Sequence, residues 1–132
     1  MFVCFIIKVI CGEIMKNINV GIIGLGKMGI LHTGILNSFD DVNVVAIAEK
    51  EKLMSSNIKK VLKNVNTYND YQKMFNKEDL DLVYIATPTA FHTNISKDCA
   101  ESGINFFVEK PLGISKDDCN GLIKLMNDKK DI

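Results

Sequence analysis

The stretch at residues 20–29, VGIIGLGKMG, limits the fold of this chain more than any other. Its first four residues are apolar and predict a short buried strand. They lead directly into the spacing G-x-G-x-x-G, formed by Gly24, Gly26 and Gly29. The apolar residues that follow recur with helical spacing, at Met28, Leu31 and Ile35. The stretch therefore predicts a strand, a glycine turn and a helix.

A strand, a glycine turn and a helix in this order are typical of a dinucleotide-binding site. Gly24 allows a tight turn, Gly26 lets a pyrophosphate approach the backbone, and Gly29 lets the helix pack closely on the strand. The free N–H groups of the helix's first turn, at the positive end of its dipole, would hold the phosphates. Lys27 and Met28 belong to that turn, so we include them among the predicted cofactor contacts.

Glu49 strengthens this prediction because it ends the next apolar run, twenty residues after Gly29. A carboxylate there would accept hydrogen bonds from the adenosine ribose and repel a 2′-phosphate, which favours NAD over NADP. Lys50 and Lys52 lie close enough in sequence to pair with a 2′-phosphate and weaken this preference. The alternative is that Glu49 is an ordinary solvated loop residue.

Composition limits the class of protein. The 132 residues suffice for one domain with a core, and 16 basic residues balance 16 acidic ones. This balance gives no electrostatic reason to expect nucleic acid or a membrane surface as a partner. The four cysteines form no C-x-x-C pair and no ligand spacing with the two histidines. We therefore predict no metal site, and unpaired thiols in the reducing cytoplasm.

The N-terminal residues 1–14 are apolar, but Lys8 interrupts them and no basic segment precedes them. They are too short to span a bilayer and lack the layout of a secretory signal. We interpret them as an extension upstream of a domain that covers residues 15–132. The alternative is an added strand or a partner-binding tail.

Strand and helix patterns alternate along the remaining chain. The predicted strands cover about 19–24, 42–48, 65–67, 82–86 and 105–108. This alternation is typical of an α/β fold, a doubly wound parallel sheet of Rossmann-like type with strand order 3-2-1-4-5. We predict helix-end residues at Asn69, Gly103 and Ser115, and core positions for Phe91, Phe106 and Phe107.

In such sheets, ligands bind outside the carboxyl ends of the strands. Besides the glycine loop and Glu49, two further segments reach that edge. They are Ala86-Thr87-Pro88 after the fourth strand and Glu109-Lys110-Pro111 after the fifth. We expect Thr87 and Pro88 to shape the turn and offer backbone contacts to the cofactor.

Four motifs, GLGKMG, AIAE, YIATPTAFH and VEKPLG, resemble the N-terminal domain of the glucose–fructose oxidoreductase and inositol dehydrogenase family, Gfo/Idh/MocA. The resemblance covers residues from Met15 to the last helix, and its most specific part is E-K-P after ATP-x-x-x-H. It implies hydride transfer between nicotinamide and a carbon that bears a hydroxyl, typically on a sugar, polyol or related ring.

The resemblance also implies individual roles. Lys110 would be the catalytic residue beside the nicotinamide, where an ammonium stabilises a developing alkoxide; the alternative is a solvent-facing charge. Pro111 would fix the backbone so that Lys110 points into the cleft, and Glu109 would lie near the nicotinamide ribose. His92 would lie near the cofactor, although a capping or packing role is an equal alternative. His32 is predicted to be structural.

The chain departs from the family in length. It lacks the sixth strand of the nucleotide-binding domain and the whole C-terminal domain that supplies the substrate pocket. We therefore expect the cofactor domain of an oxidoreductase that is incomplete alone and tends to self-associate or seek a partner chain. The alternatives are a stand-alone NAD-binding regulatory module without catalysis, and a non-functional remnant that still folds.

Overall fold

The computed structural model describes residues 17–128, so the predicted extension at residues 1–14 lies outside the described residues. The strands are Ile18–Ile23 (β1), Val42–Ala48 (β2), Asn66–Tyr68 (β3), Leu82–Ile85 (β4) and Asn105–Val108 (β5). The helices are Lys27–Leu36 (α1), Lys52–Val61 (α2), Tyr71–Lys77 (α3), His92–Glu101 (α4) and Lys116–Asp128 (α5). A single 3-10 turn, Thr89–Phe91, precedes α4.

The strands form one parallel sheet in the order β3-β2-β1-β4-β5, which confirms the predicted doubly wound fold. The last residue of β1, Ile23, aligns with Ala48 of β2 and with Ile85 of β4. The carboxyl ends of these central strands therefore lie side by side, and the segments that follow them share one edge of the sheet.

The sheet carries apolar side chains on both faces. Helices therefore pack on each face and bury them. On one face, α1 and α2 pack on β1 to β3 around Ile22 and Ile47. On the other face, α3 and α4 pack around Met74, Ile85 and Ile95. This arrangement leaves the loops at the strand ends to form the site.

The helix ends follow the predictions except at α3. Gly103 has a φ of +71° just beyond α4, and Ser115 Oγ accepts the backbone N–H of Asp118 at 3.2 Å. The prediction of Asn69 as the N-cap of α3 is wrong. Asp70 occupies that position and accepts the N–H of Gln72 at 3.0 Å, because the helix begins one residue later than expected.

The prediction of a core role for Phe107 is wrong. Phe107 is 43% exposed on the edge strand β5, because the helices of its face pack on β1 to β3. Phe106, on the opposite face of β5, packs against the core as predicted.

Helix α1 places the stripe of Met28, Leu31 and Ile35 on its outer face. Its inner face consists of Gly29, His32 and Thr33.

Candidate dinucleotide-binding site

A cleft of about 1020 Å³ lies along the carboxyl edge of the sheet, between the glycine loop and the turns after β2, β4 and β5. Eleven of the predicted contact residues line it: Gly24, Gly26, Lys27, Met28, Glu49, Ala86, Thr87, Pro88, His92, Glu109 and Lys110. The other two predicted contacts do not line it. Gly29 is buried on the inner face of α1, and Pro111 is exposed, with its carbonyl oxygen 2.9 Å from Nδ1 of His92.

The three loop glycines meet different surroundings. Gly24 has a φ of +92°, and a Cβ there would lie 2.8 Å from the carbonyl oxygen of Ala86. A Cβ on Gly29 would lie 2.0 Å from the carbonyl oxygen of Gly24, so only glycine lets α1 approach the loop this closely. A Cβ on Gly26 would meet nothing within 4 Å, because Gly26 faces the open cleft. The backbone of Gly26 is therefore open to close approach from the cleft.

The N-terminus of α1 opens into the same cleft. Gly26 is its N-cap, makes no side-chain capping bond, and is followed by no acidic residue in the first turn. The first N–H groups of the helix therefore keep their capacity for an external acceptor. Lys27, which is exposed in this turn, adds a positive charge. These features together suit an anion.

Glu49 is held beside the glycine loop by two backbone N–H groups. Its Oε2 accepts from Leu25 at 2.7 Å, and its Oε1 accepts from Glu51 at 2.9 Å. The carboxylate is therefore fixed at the end of β2, next to the anion site. This geometry argues against the alternative that Glu49 is an ordinary solvated loop residue.

Phe91 lines the cleft and is 49% exposed, so the prediction that it belongs to the core is wrong. The 3-10 turn before α4 carries its ring outward. The ammonium of Lys50 lies 5.6 Å from the ring centroid, within the range of a cation–π contact. Lys50 thus has a partner on the far wall of the cleft.

His92 ties two turns of the site together. Its imidazole is 1% exposed, with Nε2 at 2.7 Å from the carbonyl oxygen of Thr87 and Nδ1 at 2.9 Å from that of Pro111. A neutral imidazole carries one N–H, so both contacts are hydrogen bonds only when the ring is doubly protonated. In either form, His92 lines the cleft and links the β4 and β5 turns.

Thr87 offers the cleft an unused polar atom. Its Oγ1 is buried and has no hydrogen-bond partner among the described residues. Buried hydroxyls normally have a partner, and an orphaned one calls for a specific explanation. A ligand in the cleft that Thr87 lines would explain it.

Glu109 and Lys110 form the end of the cleft beyond β5. Lys110 is exposed there, and the Lys110–Pro111 peptide bond is cis. The Tyr84 hydroxyl donates a hydrogen bond to Oε1 of Glu109. Burial, and then this bond to Glu109, raise the pKa of Tyr84 well above its usual range. The raised pKa keeps the Tyr84 hydroxyl protonated, as a hydrogen-bond donor, at neutral pH.

Sequence reasoning missed the start of α3, which forms a further wall of the cleft through Asn69, Asp70, Tyr71 and Gln72. No motif marks these residues as part of a site. The Tyr71 hydroxyl donates to Asp98 at 2.6 Å, and burial, followed by this bond, raises its pKa. The predicted cap at Asn69 was the one local clue that a helix begins here, one residue before the actual cap, Asp70.

The described residues contain no group of three or more histidine, cysteine or acidic side chains that could hold a metal ion. None of the helices in residues 17–128 is both long enough and apolar enough to cross a bilayer.

Solved structures of inositol dehydrogenases share this fold. Scyllo-inositol dehydrogenase from Lactobacillus casei, solved with bound NAD(H) and scyllo-inositol, superposes with a TM-score of 0.83 at 25% identity over 89% of this chain. Myo-inositol 2-dehydrogenase from Lactobacillus plantarum gives a TM-score of 0.81 at 30% identity over 86% of this chain. The chain covers 35% and 34% of these two proteins, respectively.

Among curated proteins, an alpha-N-acetylgalactosaminidase from Shewanella oneidensis is 31% identical over 114 residues, which are 80% of this chain and 25% of the relative. The chain thus spans between a quarter and about a third of the proteins it resembles. The family model described as "Oxidoreductase family, NAD-binding Rossmann fold" matches residues 18–132. The chain belongs to this family, Gfo/Idh/MocA, and corresponds to its NAD-binding domain.

Proposed function

We propose that this chain binds NAD(H) along the carboxyl edge of its sheet and supplies the cofactor half of an oxidoreductase acting on a sugar, polyol or related hydroxyl compound. The observation that carries the proposal is the convergence of three groups on one cleft: the uncapped N-terminus of α1, Glu49 and Lys110. These groups suit a pyrophosphate, a ribose diol and a reacting hydroxyl, respectively.

Each part of the cleft has its own task. The space over Gly26 and the N–H groups of α1 receive the pyrophosphate, and Glu49 receives the adenosine ribose. Lys110 polarises the substrate oxygen or takes part in moving its proton. The nicotinamide, when bound, accepts or donates the hydride. Lys110 is exposed, and its place in the cleft wall beside Glu109 supports this role over that of a charge with no part in the site.

Two observations support a preference for NAD over NADP. The Glu49 carboxylate is fixed where a 2′-phosphate would approach, and its charge repels that phosphate. The nearest cation in sequence, Lys50, has its ammonium over the Phe91 ring. A 2′-phosphate would have to draw Lys50 away from this contact before gaining a compensating charge.

The substrate-selecting part of the protein lies outside this domain. The relatives include an alpha-N-acetylgalactosaminidase and two inositol dehydrogenases, and this chain matches at most about a third of each. Relatives that carry such different names share this part of the chain, so the part that distinguishes their substrates lies elsewhere. We therefore assign cofactor binding to this chain and leave the choice of substrate to a further domain or partner chain.

Isothermal titration calorimetry of the purified chain with NAD, NADH and NADPH tests the proposal. We expect NAD and NADH to bind at one site per chain, with NADPH weaker. Absence of heat and of NADH fluorescence change with all three would overturn it. NADPH binding as tight as NADH binding would retain the dinucleotide site but overturn the role given to Glu49.

A further inference from the structure

His32, Tyr84 and Phe107 form an aromatic stack beside Glu109. The rings of His32 and Tyr84 lie 4.6 Å apart at 26°, and those of Tyr84 and Phe107 lie 5.1 Å apart at 12°. Tyr84, in the middle, is 3% exposed. The two flanking rings therefore fix the plane of Tyr84 and, with it, the position of the hydroxyl.

The stack fixes the Glu109 carboxylate. The Tyr84 hydroxyl donates to Oε1, and His32 Nδ1 lies 3.6 Å from the same oxygen. His32 is itself held by the carbonyl oxygen of Met28, 3.0 Å from Nδ1 and one turn earlier in α1. Packing of α1 against β4 thus determines where the carboxylate lies. Tyr84 and His32 both approach Oε1, and Glu109 lines the cleft.

Glu109 lies on the opposite side of the glycine loop from Glu49. The loop follows β1, Glu49 follows β2, and Glu109 follows β5 on the other side. Strands β2 and β5 are three strand spacings apart, or about 14 Å. A dinucleotide carries one ribose on each side of its pyrophosphate. With the pyrophosphate over Gly26 and one ribose at Glu49, the second ribose falls at Glu109.

We propose that Tyr84, held between His32 and Phe107, is a positioning residue that aims the Glu109 carboxylate at the ribose beside the nicotinamide. This inference rests on the proposed NAD(H)-binding function and deepens it. The hydroxyl holds the carboxylate as an acceptor, so that the ribose hydroxyl meets a fixed oxygen.

The chain contains a matched control. On β3, the Tyr68 hydroxyl donates to Oε1 of Glu78. This pair has the same chemistry, but neither residue lines the cleft. If losing any tyrosine–glutamate hydrogen bond weakened ligand binding, removal of either tyrosine hydroxyl would do so. An effect specific to the cleft would appear only when the Tyr84 hydroxyl is removed.

The test compares Tyr84→Phe with Tyr68→Phe in titrations with ADP, ADP-ribose and NADH. ADP lacks the second ribose, whereas the other two ligands carry it. We expect Tyr84→Phe to bind ADP like the unaltered chain and to weaken ADP-ribose and NADH about tenfold. We expect Tyr68→Phe to change none of the three. Equal weakening of ADP and NADH by Tyr84→Phe would indicate a disturbed fold and overturn the inference.

A double-mutant cycle separates positioning from other roles. If Tyr84 acts through Glu109, adding Tyr84→Phe to Glu109→Ala causes no further loss of NADH affinity. Additive losses, or normal NADH binding by Tyr84→Phe, would overturn this inference while the proposed function stands. If the unaltered chain binds neither ADP nor NADH, the proposed function fails and this inference fails with it.

Discussion

Gly26 and Gly29 lie three residues apart at the start of α1, yet a side chain at each would have different surroundings. At Gly29 a Cβ would lie 2.0 Å from the backbone oxygen of Gly24, a distance that no local adjustment relieves. At Gly26 the φ is −63°, and a Cβ would enter open space. Gly29 is therefore required by the fold, whereas the fold does not require glycine at 26, and the proposed pyrophosphate contact would explain it.

We predict that Gly26→Leu abolishes NADH binding while the melting temperature stays close to that of the unaltered chain. The leucine side chain would occupy the space proposed for the pyrophosphate without contacting the protein. Gly34→Leu is the matched control, since Gly34 is also in open space but lies farther along α1. Calorimetry and thermal melts check both variants. NADH binding retained by Gly26→Leu would show that the phosphates lie elsewhere.

By contrast, Gly29→Ala should destabilise the fold itself. Its Cβ meets rigid backbone, so we expect a loss of roughly 2 kcal/mol or more in the free energy of unfolding. Urea denaturation measures this loss. An unfolding midpoint equal to that of the unaltered chain would mean that α1 can move away from the loop at little cost.

We expect the carboxylate of Glu49 to determine whether the chain binds NADH or NADPH more tightly. We predict that Glu49→Gln weakens NADH and strengthens NADPH, so that their affinity ratio changes by about tenfold or more. Glu51→Gln removes the same charge two residues away and should leave the ratio nearly unchanged. Titrations at low and moderate salt measure it. An equal effect of both variants would mean that general charge, not the ribose contact, sets the preference.

At the scale of secondary-structure elements, the turns after β4 and β5 are linked by His92, the first residue of α4. His92 brings the carbonyl groups of Thr87 and Pro111 together from two different strands. Removing the imidazole leaves both carbonyl groups without this partner. The turn that carries Lys110 would then lose its connection to β4.

We predict that His92→Ala lowers the free energy of unfolding by about 2–3 kcal/mol, the cost of the cavity left by a buried ring and of the lost contacts to the two carbonyl groups. Asn94→Ala, at an exposed position of the same helix, should change it by less than about 0.5 kcal/mol. Chemical denaturation compares the two variants. A small loss for His92→Ala would show that the two turns hold their positions without the imidazole.

Element order was predictable from sequence because apolar runs and helical spacing are local signals. The strand order followed from the rules of crossover connections, and Glu49 from its distance to the glycines. The positions of Phe91 and Phe107 were not predictable, because both depend on which strands the helices cover. Likewise, the link between Tyr84 and Glu109 joins residues 25 positions apart, and no spacing rule reports such a contact.

For the whole molecule, the outer surface of α1 and the edge strand β5 are unusually apolar. Leu31 is 53% exposed, and Met28, Ile30, Ile35 and Phe107 are exposed as well. Exposed apolar surfaces of this kind, next to an edge strand, promote association. The surface supports the expectation that this domain contacts another domain or chain.

We predict concentration-dependent self-association of the isolated chain, measured by sedimentation velocity. The double variant Leu31→Glu with Ile35→Lys should reduce it, because it places charges on the outer face of α1 and leaves the core and the net charge unchanged. Exchanging Lys59 and Lys60 for glutamine on α2 is the control. If the unaltered chain stays monomeric at high concentration, the apolar outer surface of α1 does not promote self-association.

The last prediction is that the isolated chain binds NAD(H) but does not oxidise sugars or polyols. Hydride transfer requires the substrate carbon to be held against the nicotinamide, and such positioning can lower the barrier by roughly 7–11 kcal/mol. Lys110 is exposed at the open end of the cleft, where a single ammonium cannot orient a polyol or exclude water. The proteins that share this domain extend well beyond the matched segment.

Incubation of the chain with NAD and a panel of polyols and sugars, followed by the absorbance of NADH, tests this prediction. The expected outcome is a stable binding signal by calorimetry and no increase in absorbance above that of NAD alone. Steady turnover that disappears in Lys110→Ala would contradict it, because this cleft would then position a substrate by itself. Turnover that persists in Lys110→Ala would indicate a contaminating dehydrogenase, so the variant serves as the control for the assay.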